Sequence, residues 1–132
     1  MLFRSTSLAG VRTLIRALRA GGYTAILPDQ VPPQGQGVWA PFFGRDVYTM
    51  TLLPKLAQQT GALILLTWCE RLPGGRFCLH MAPLDETSFQ DPGASLAQMA
   101  AGMNRAVERM VLHCPGQYLW GYARAKQPRE ER

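Results

Sequence analysis

The sequence has few residues of the types that build metal centres and redox pairs. It contains two histidines, His80 and His113, and three cysteines, Cys69, Cys78 and Cys114. No pair among the cysteines has the close spacing of a zinc site or a redox motif. Their odd number favours free thiols in a reducing compartment. Because the histidines are distant along the chain and the cysteines are scattered, we expect neither a metal site nor a cofactor.

Long apolar runs are also missing. The longest one, residues 62–66, is far shorter than the roughly 20 residues that cross a bilayer. The start of the sequence lacks the pattern of a signal peptide, so we expect a soluble or peripheral chain. Dinucleotide and phosphate-loop glycine patterns and the Gly-x-Ser-x-Gly frame of serine hydrolases are absent as well.

Apolar residues still make up 47% of the 132-residue chain, enough for the core of one domain. Charged residues are 17% of the total, with 14 basic and 9 acidic side chains and a net charge of +5. The basic excess lies towards the two ends of the sequence. Such ends suit anionic lipid, nucleic acid or an acidic carrier protein, and they also suit a solvated surface.

Periodicity predicts a chain of helices and strands without a linker between domains. Apolar spacing indicates an amphipathic helix over residues 8–20, a helix over 49–60 and a long helix from Ser95 to His113. Because proline fits only the first turn of a helix, Pro54 favours a start of the second helix nearer Leu53. Residues 23–27 are predicted to form a buried strand. Residues 62–70 and 76–81 are predicted to form a hairpin, and a two-residue turn at Pro73-Gly74 would place Cys69 opposite Cys78.

Two acidic residues stand at positions that suggest chemistry. Asp29 directly follows the predicted strand and a proline, at an end of the kind that lines ligand crevices in α/β sheets. Its alternative role is that of an ordinary turn residue. Asp85 follows His80 by five residues, the spacing of the histidine and carboxylate of glycerolipid acyltransferases. We interpret that pair as coincidence, because His80 lies late in a strand and Pro83 separates the two partners.

Several segments together resemble a known family. Residues 26–30 (ILPDQ), 37–44 (GVWAPFFG), 72–75 (LPGG) and 117–120 (QYLW) are similar, in order and spacing, to segments of the lauroyl and myristoyl acyltransferases of lipid A biosynthesis. The resemblance extends from about Ser7 to Lys126. It implies an α/β fold of the glycerolipid-acyltransferase type, with a mixed sheet flanked by helices, and a single partial domain over residues 1–132.

The resemblance also implies a function. Enzymes of this family act at the cytoplasmic face of the bacterial inner membrane. They transfer a fatty acyl chain from acyl carrier protein to a hydroxyl of a lipid A precursor, without a further cofactor and without nucleic acid. Their catalytic His-x4-Glu/Asp motif belongs to the N-terminal half, which this sequence does not match. The sequence is therefore expected to be a C-terminal half, peripheral to the membrane and inactive alone.

The family pattern assigns expected roles to six residues. Asp29 matches an aspartate that supports the active site. The remaining five are expected to contact the substrates, the last two through phosphates: Gln30, Phe42, Phe43, Arg124 and Lys126. Two other readings stay open. The chain is a stand-alone module that binds anionic lipid or carrier protein, or it is a structural half that pairs with another chain.

Overall fold

The computed structural model describes residues 8–130. The elements, in chain order, are α1 (Leu8–Arg19), β1 (Gly37–Phe42), β2 (Arg45–Met50), α2 (Leu52–Thr60), β3 (Leu65–Leu72), β4 (Arg76–Pro83), α3 (Thr87–Gln90) and α4 (Leu96–His113), with single 3₁₀ turns at Pro73–Gly75 and Pro115–Gln117. The predicted α/β class is confirmed. The strands, however, form two separate antiparallel hairpins, β1–β2 and β3–β4, and not one mixed sheet.

Helix α4 is the centre of the fold. It begins at a capping box in which the Ser95 hydroxyl accepts from the Gln98 backbone N–H, while the Gln98 side chain accepts from the Ser95 N–H. Its buried face includes Met99 and Met103, each 1% exposed. One side packs on the β1–β2 hairpin, where the core cluster consists of Phe42, Val47, Val107 and Val111. Burial of this face, more than helix propensity, stabilises the helix.

The β1–β2 hairpin was not predicted as such. Its two strands are joined at Phe43-Gly44, and Phe42 pairs with Arg45 across the turn. Both turn residues have positive φ, 46° for Phe43 and 74° for Gly44, as in the two-residue turns that match the twist of a hairpin. Because β2 extends to Met50, the next helix begins at Leu52, three residues after Thr49 and next to the later start that Pro54 indicates. Pro54 then falls in its first turn, where proline is tolerated.

The strand predicted at residues 23–27 is wrong. These residues belong to neither hairpin, and within residues 8–130 no strand is hydrogen-bonded to them. Tyr23 is 93% exposed and Leu27 is 64% exposed, so the segment is not buried either. Apolar and β-branched composition favours a strand only where a neighbouring strand completes the backbone hydrogen bonds.

The β3–β4 hairpin is confirmed with a different register. Its turn contains three residues, Pro73–Gly75, because Gly74 and Gly75 both adopt positive φ. Cys69 therefore faces Leu79, and Cys78 faces Glu70, so the predicted juxtaposition of the two cysteines is wrong. A shift of one residue moves a side chain to the other face of a hairpin. Accordingly, Cys69 is exposed and Cys78 is half-buried.

Among residues 8–130, no helix combines the length and the apolar character that a membrane crossing requires.

Candidate functional site

An apolar groove separates residues 25–29, which follow α1, from the β3–β4 hairpin. Its volume is about 310 Å³. One wall is formed by residues 25–29 and the other by residues 64–69 of β3 and its approach, while α4 closes the floor. The apolar side chains that line it include Ile26, Leu27, Leu66, Val107, Met110 and Val111. An open apolar trough of this kind suits a hydrocarbon chain better than a polar metabolite.

Asp29 lies in the lining of this groove, bonded to Tyr118 from the tail after α4. The Tyr118 hydroxyl donates to Asp29 Oδ2 over 2.9 Å. Burial, this hydrogen bond and the carboxylate charge together raise the pKa of Tyr118 well above its ordinary range, and Arg124 offsets part of the rise. The pair therefore keeps a protonated Tyr118 hydroxyl beside the Asp29 carboxyl group at the groove.

The tail after α4 fixes the loop that carries Asp29. The Tyr122 hydroxyl accepts a hydrogen bond of 2.8 Å from the Val31 backbone N–H. Lys126 places its ammonium 4.3 Å from the centre of the Tyr122 ring, in cation–π contact. Further on, the Arg129 carbonyl accepts from the Gln34 N–H over 2.9 Å. The loop position thus depends on residues that are about ninety positions away in sequence.

Arg124 is buried at the centre of a polar network. Its guanidinium donates to the Tyr48 carbonyl over 2.8 Å, to Thr49 Oγ1 over 2.9 Å and to Asn104 Oδ1 over 3.3 Å. The amide of Asn104 donates in turn to Pro41 O and Thr49 Oγ1, both at 3.0 Å. Burial lowers the pKa of Arg124, and the nearby Tyr118 and Asp29 act in the opposite direction.

The structure brings some of the predicted site residues together and separates others. Asp29 lines the groove, and Gln30, the next residue, is exposed but does not belong to the groove lining. Phe42 is buried in the core at 6% exposure, and Phe43 lies outside the groove, 38% exposed, against Phe42 and Trp120. Arg124, at 6% exposure, is engaged by internal acceptors. Substrate contacts by these residues and by Lys126 stay predictions.

Tyr118 is the site residue that sequence reasoning missed. The segment 117–120 contributes to the family resemblance, but no role was assigned to its tyrosine. The sequence signal was a tyrosine in the segment that follows the last helix. A solvent-exposed loop normally has polar residues at such positions. Its pairing with Asp29 spans 89 positions and has no local signature.

His80 does not act with Asp85. Its Nε2 lies 2.9 Å from Glu70 Oε2 on the neighbouring strand, while Asp85 is exposed beyond the end of β4. The interpretation of the His80–Asp85 spacing as coincidence is therefore supported. The two histidines are distant along the chain but close in space, because the ring centroids of His80 and His113 lie 4.7 Å apart. Local spacing could not show this, since β4 and the end of α4 meet only through tertiary packing.

Phe43 occupies a turn position that its residue type does not favour. At a φ of 46° a phenylalanine is strained by about 1 kcal/mol, whereas asparagine tolerates this region. We expect Phe43→Asn to change the free energy of unfolding by less than about 1 kcal/mol, because relieved strain offsets the lost ring contacts. Phe43→Val, β-branched and equally unable to stack, should be less stable than Phe43→Asn by about 1–2 kcal/mol.

Urea unfolding of both variants measures this difference. Equal stability of the asparagine and valine variants would show that the backbone conformation at position 43 does not affect the free energy of unfolding. A strong loss with asparagine would instead show that the ring contacts with Phe42 and Trp120 hold the turn.

Comparisons with known proteins agree with the resemblance noted in the sequence. The chain is 30% identical over 118 residues to a lipid A biosynthesis palmitoleoyltransferase of Escherichia coli (strain K12), covering 88% of this chain and 37% of the relative. A lipid A biosynthesis acyltransferase of Shigella flexneri matches equally. A lipid A biosynthesis lauroyltransferase of Escherichia coli (strain K12) is 29% identical, over 38% of its length.

The chain thus spans little more than a third of the length of these relatives. The family model for the bacterial lipid A biosynthesis acyltransferases matches residues 2–127, almost the whole sequence. With this match, the chain belongs to the bacterial lipid A biosynthesis acyltransferase family.

Proposed function

We propose that this chain provides the acyl-chain groove of a lipid A acyltransferase. In the full enzyme a fatty acyl chain passes from acyl carrier protein to a hydroxyl of a lipid A precursor, at the cytoplasmic face of the inner membrane. The observation that carries the proposal is the apolar groove with the Asp29–Tyr118 pair in its lining. The groove accepts the hydrocarbon, and the pair presents a hydrogen-bonding group beside it.

Charge supports the choice of partners. The chain has a net charge of +5, which suits an acidic carrier protein and a phosphorylated lipid acceptor. Lys126 and Arg129 lie on the tail that fixes the Asp29 loop. In this proposal Asp29 is a positioning residue, and its partner Tyr118 holds the carboxylate at the groove wall.

We propose that the 132 residues alone bind the acyl chain but do not catalyse its transfer. Acyl transfer to a hydroxyl needs a general base, most often histidine. Both histidines of the sequence pack together against Glu70, and neither belongs to the groove lining. We expect transfer by this chain to be at background level, with the catalytic base supplied by the remaining part of a complete enzyme.

A second candidate function is a module that binds an anionic lipid surface. It rests on the outer face of the β3–β4 hairpin, which exposes apolar side chains: Leu65 (47%), Phe77 (61%), Leu79 (65%) and Met81 (58%). Arg71 and Arg76 flank the turn of the same hairpin, and Arg71 lies 5.5 Å from the centre of the Phe77 ring. Apolar side chains beside basic ones are typical of interfacial binding.

A crossed pair of variants separates the two functions. Leu66→Asp places a carboxylate in the groove, and Leu79→Asp places the same group on the opposite face of the same hairpin. For the groove function we expect Leu66→Asp to weaken binding of acylated carrier protein at least about ten-fold, about 1.4 kcal/mol. Leu79→Asp should leave this affinity unchanged. Fluorescence anisotropy of labelled acyl carrier protein measures both.

Vesicle sedimentation completes the test. Binding to anionic phospholipid vesicles that falls with salt, is lost in Leu79→Asp and persists in Leu66→Asp would support the lipid module. The groove function fails if Leu66→Asp binds acylated carrier protein as tightly as the original chain. It also fails if carrier protein without an acyl chain binds equally well, since the groove would then contribute nothing.

A further inference from the structure

Three metal-binding side chains converge where the β3–β4 hairpin meets the end of α4. Glu70 lies on β3, His80 lies on β4 and His113 is the last residue of α4. Because His80 pairs with Trp68, two residues before Glu70, His80 and Glu70 are diagonal neighbours on one face of the hairpin. One ligand atom from each of the three residues lies within 4.8 Å of the other two.

The spacing of these atoms fits a common metal ion. Glu70 Oε2 is 2.9 Å from His80 Nε2 and 3.7 Å from His113 Nε2. Ligands bound tetrahedrally to zinc at about 2.0–2.1 Å lie about 3.3 Å apart, so the two observed distances bracket the required value. Small rotations of side chains that are a quarter to half exposed are sufficient to complete the geometry.

Hydrogen bonding accounts for only part of the cluster. The contact between His80 and Glu70 has the length of a hydrogen bond. The 3.7 Å between His113 and the same carboxylate oxygen is too long for one. Two imidazoles directed at one carboxylate oxygen are explained together by a cation that all three residues bind.

Packing holds the imidazoles in place without a metal. The Trp68 ring stacks on His80 at 4.7 Å with an interplanar angle of 6°. The His113 ring packs edge-on against both, 5.5 Å from Trp68 and 4.7 Å from His80. Ligands that are oriented in advance lose less conformational entropy when a metal binds.

The structure assigns a binding site for a divalent zinc ion to Glu70, His80 and His113, independently of the proposed acyl-chain groove. Two imidazoles and one carboxylate form a donor set that suits zinc and disfavours calcium and magnesium, which prefer oxygen ligands. Three protein ligands leave a fourth position for water. The ion would join the β3–β4 hairpin to the C-terminal end of α4.

Binding of zinc alone to the 132-residue chain tests the site, measured by competition with a chromophoric chelator. We expect one zinc ion per chain. Glu70→Gln is the decisive variant, because its amide oxygen still accepts the hydrogen bond from His80 but is a poor zinc ligand. We expect Glu70→Gln and His113→Gln, each as a single variant, to lower the zinc affinity about 100-fold or more. Asp85→Asn, which removes an exposed carboxylate close in sequence to His80, should bind as the original chain does.

Thermal melting separates ligation from folding. Without zinc, Glu70→Gln should melt at the same temperature as the original chain. Zinc should raise the melting temperature of the original chain and of Asp85→Asn, but not that of Glu70→Gln. The site is refuted if the original chain binds no stoichiometric zinc. It is also refuted if Glu70→Gln binds zinc with unchanged affinity, which would show that Glu70 is not a ligand.

Discussion

Replacement of Arg124 with methionine is expected to lower the free energy of unfolding by about 3 kcal/mol. Methionine keeps much of the apolar stem but removes the guanidinium that donates hydrogen bonds to Tyr48 O, Thr49 Oγ1 and Asn104 Oδ1. Hydrogen bonds from a charged donor contribute about 1.5–3 kcal/mol each, and buried acceptors left without a donor add their desolvation cost. The substitution also removes the desolvation cost of burying the Arg124 cation, but this gain offsets only part of the loss.

Two further variants define the cause of the Arg124 effect. Arg124→Lys keeps the charge but loses the planar fork, so it should be nearly as unstable as Arg124→Met. Arg129→Met makes the same change at an exposed position and should cost less than about 0.5 kcal/mol. Urea unfolding followed by circular dichroism measures all three. If Arg124→Met remains within about 0.5 kcal/mol of the original chain, the network does not support the fold.

Stability at alkaline pH is expected to depend on the Asp29–Tyr118 pair. The pKa of Tyr118 is raised in the folded chain, so its hydroxyl stays protonated there after the unfolded chain has begun to ionise. The stabilisation is therefore fully present below about pH 10, the ordinary value for tyrosine, and is lost as the pH rises above it. Asp29→Asn removes the charge that opposes ionisation, so the pKa of Tyr118 should fall.

Ultraviolet titration of tyrosinate tests this expectation. The original chain should show a tyrosine that ionises late, and Tyr118→Phe should lack that phase. In Asp29→Asn the late phase should move to lower pH, while Asp46→Asn, an exposed aspartate, should leave it in place. A late phase that is unchanged in Asp29→Asn would mean that burial alone protects the Tyr118 hydroxyl, and that the carboxylate contributes little to the pair.

Features with a local cause were predictable from the sequence. Helix α4 follows from apolar periodicity and from Ser95 and Gln98, whose reciprocal hydrogen bonds involve only neighbouring residues. The start of α2 was indicated by the position of Pro54. The β3–β4 hairpin follows from its glycine-rich turn, but its register depends on whether the turn contains two residues or three, which composition does not decide.

Features with a distant cause were not predictable. Residues 23–27 have the composition of a strand, yet a strand also needs a neighbour, and none is hydrogen-bonded to them within residues 8–130. The burial of Arg124 depends on Thr49 and Asn104, which are 75 and 20 positions away. A basic residue near the end of a sequence normally predicts a solvated side chain. Only the tertiary structure shows that three internal oxygen atoms accept hydrogen bonds from Arg124.

The bracing of the Asp29 loop by the tail after α4 has a consequence for biosynthesis. Asp29 is translated about ninety codons before the partners that fix its loop, Tyr118 and Tyr122. While the ribosome is still making α4, the α1 and β1–β2 regions exist without the contacts that shape the groove wall. The groove wall therefore takes its final shape only after Tyr118 and Tyr122 have been made, and premature termination before Tyr118 would leave a chain that retains most helices and strands but not the Asp29 pair.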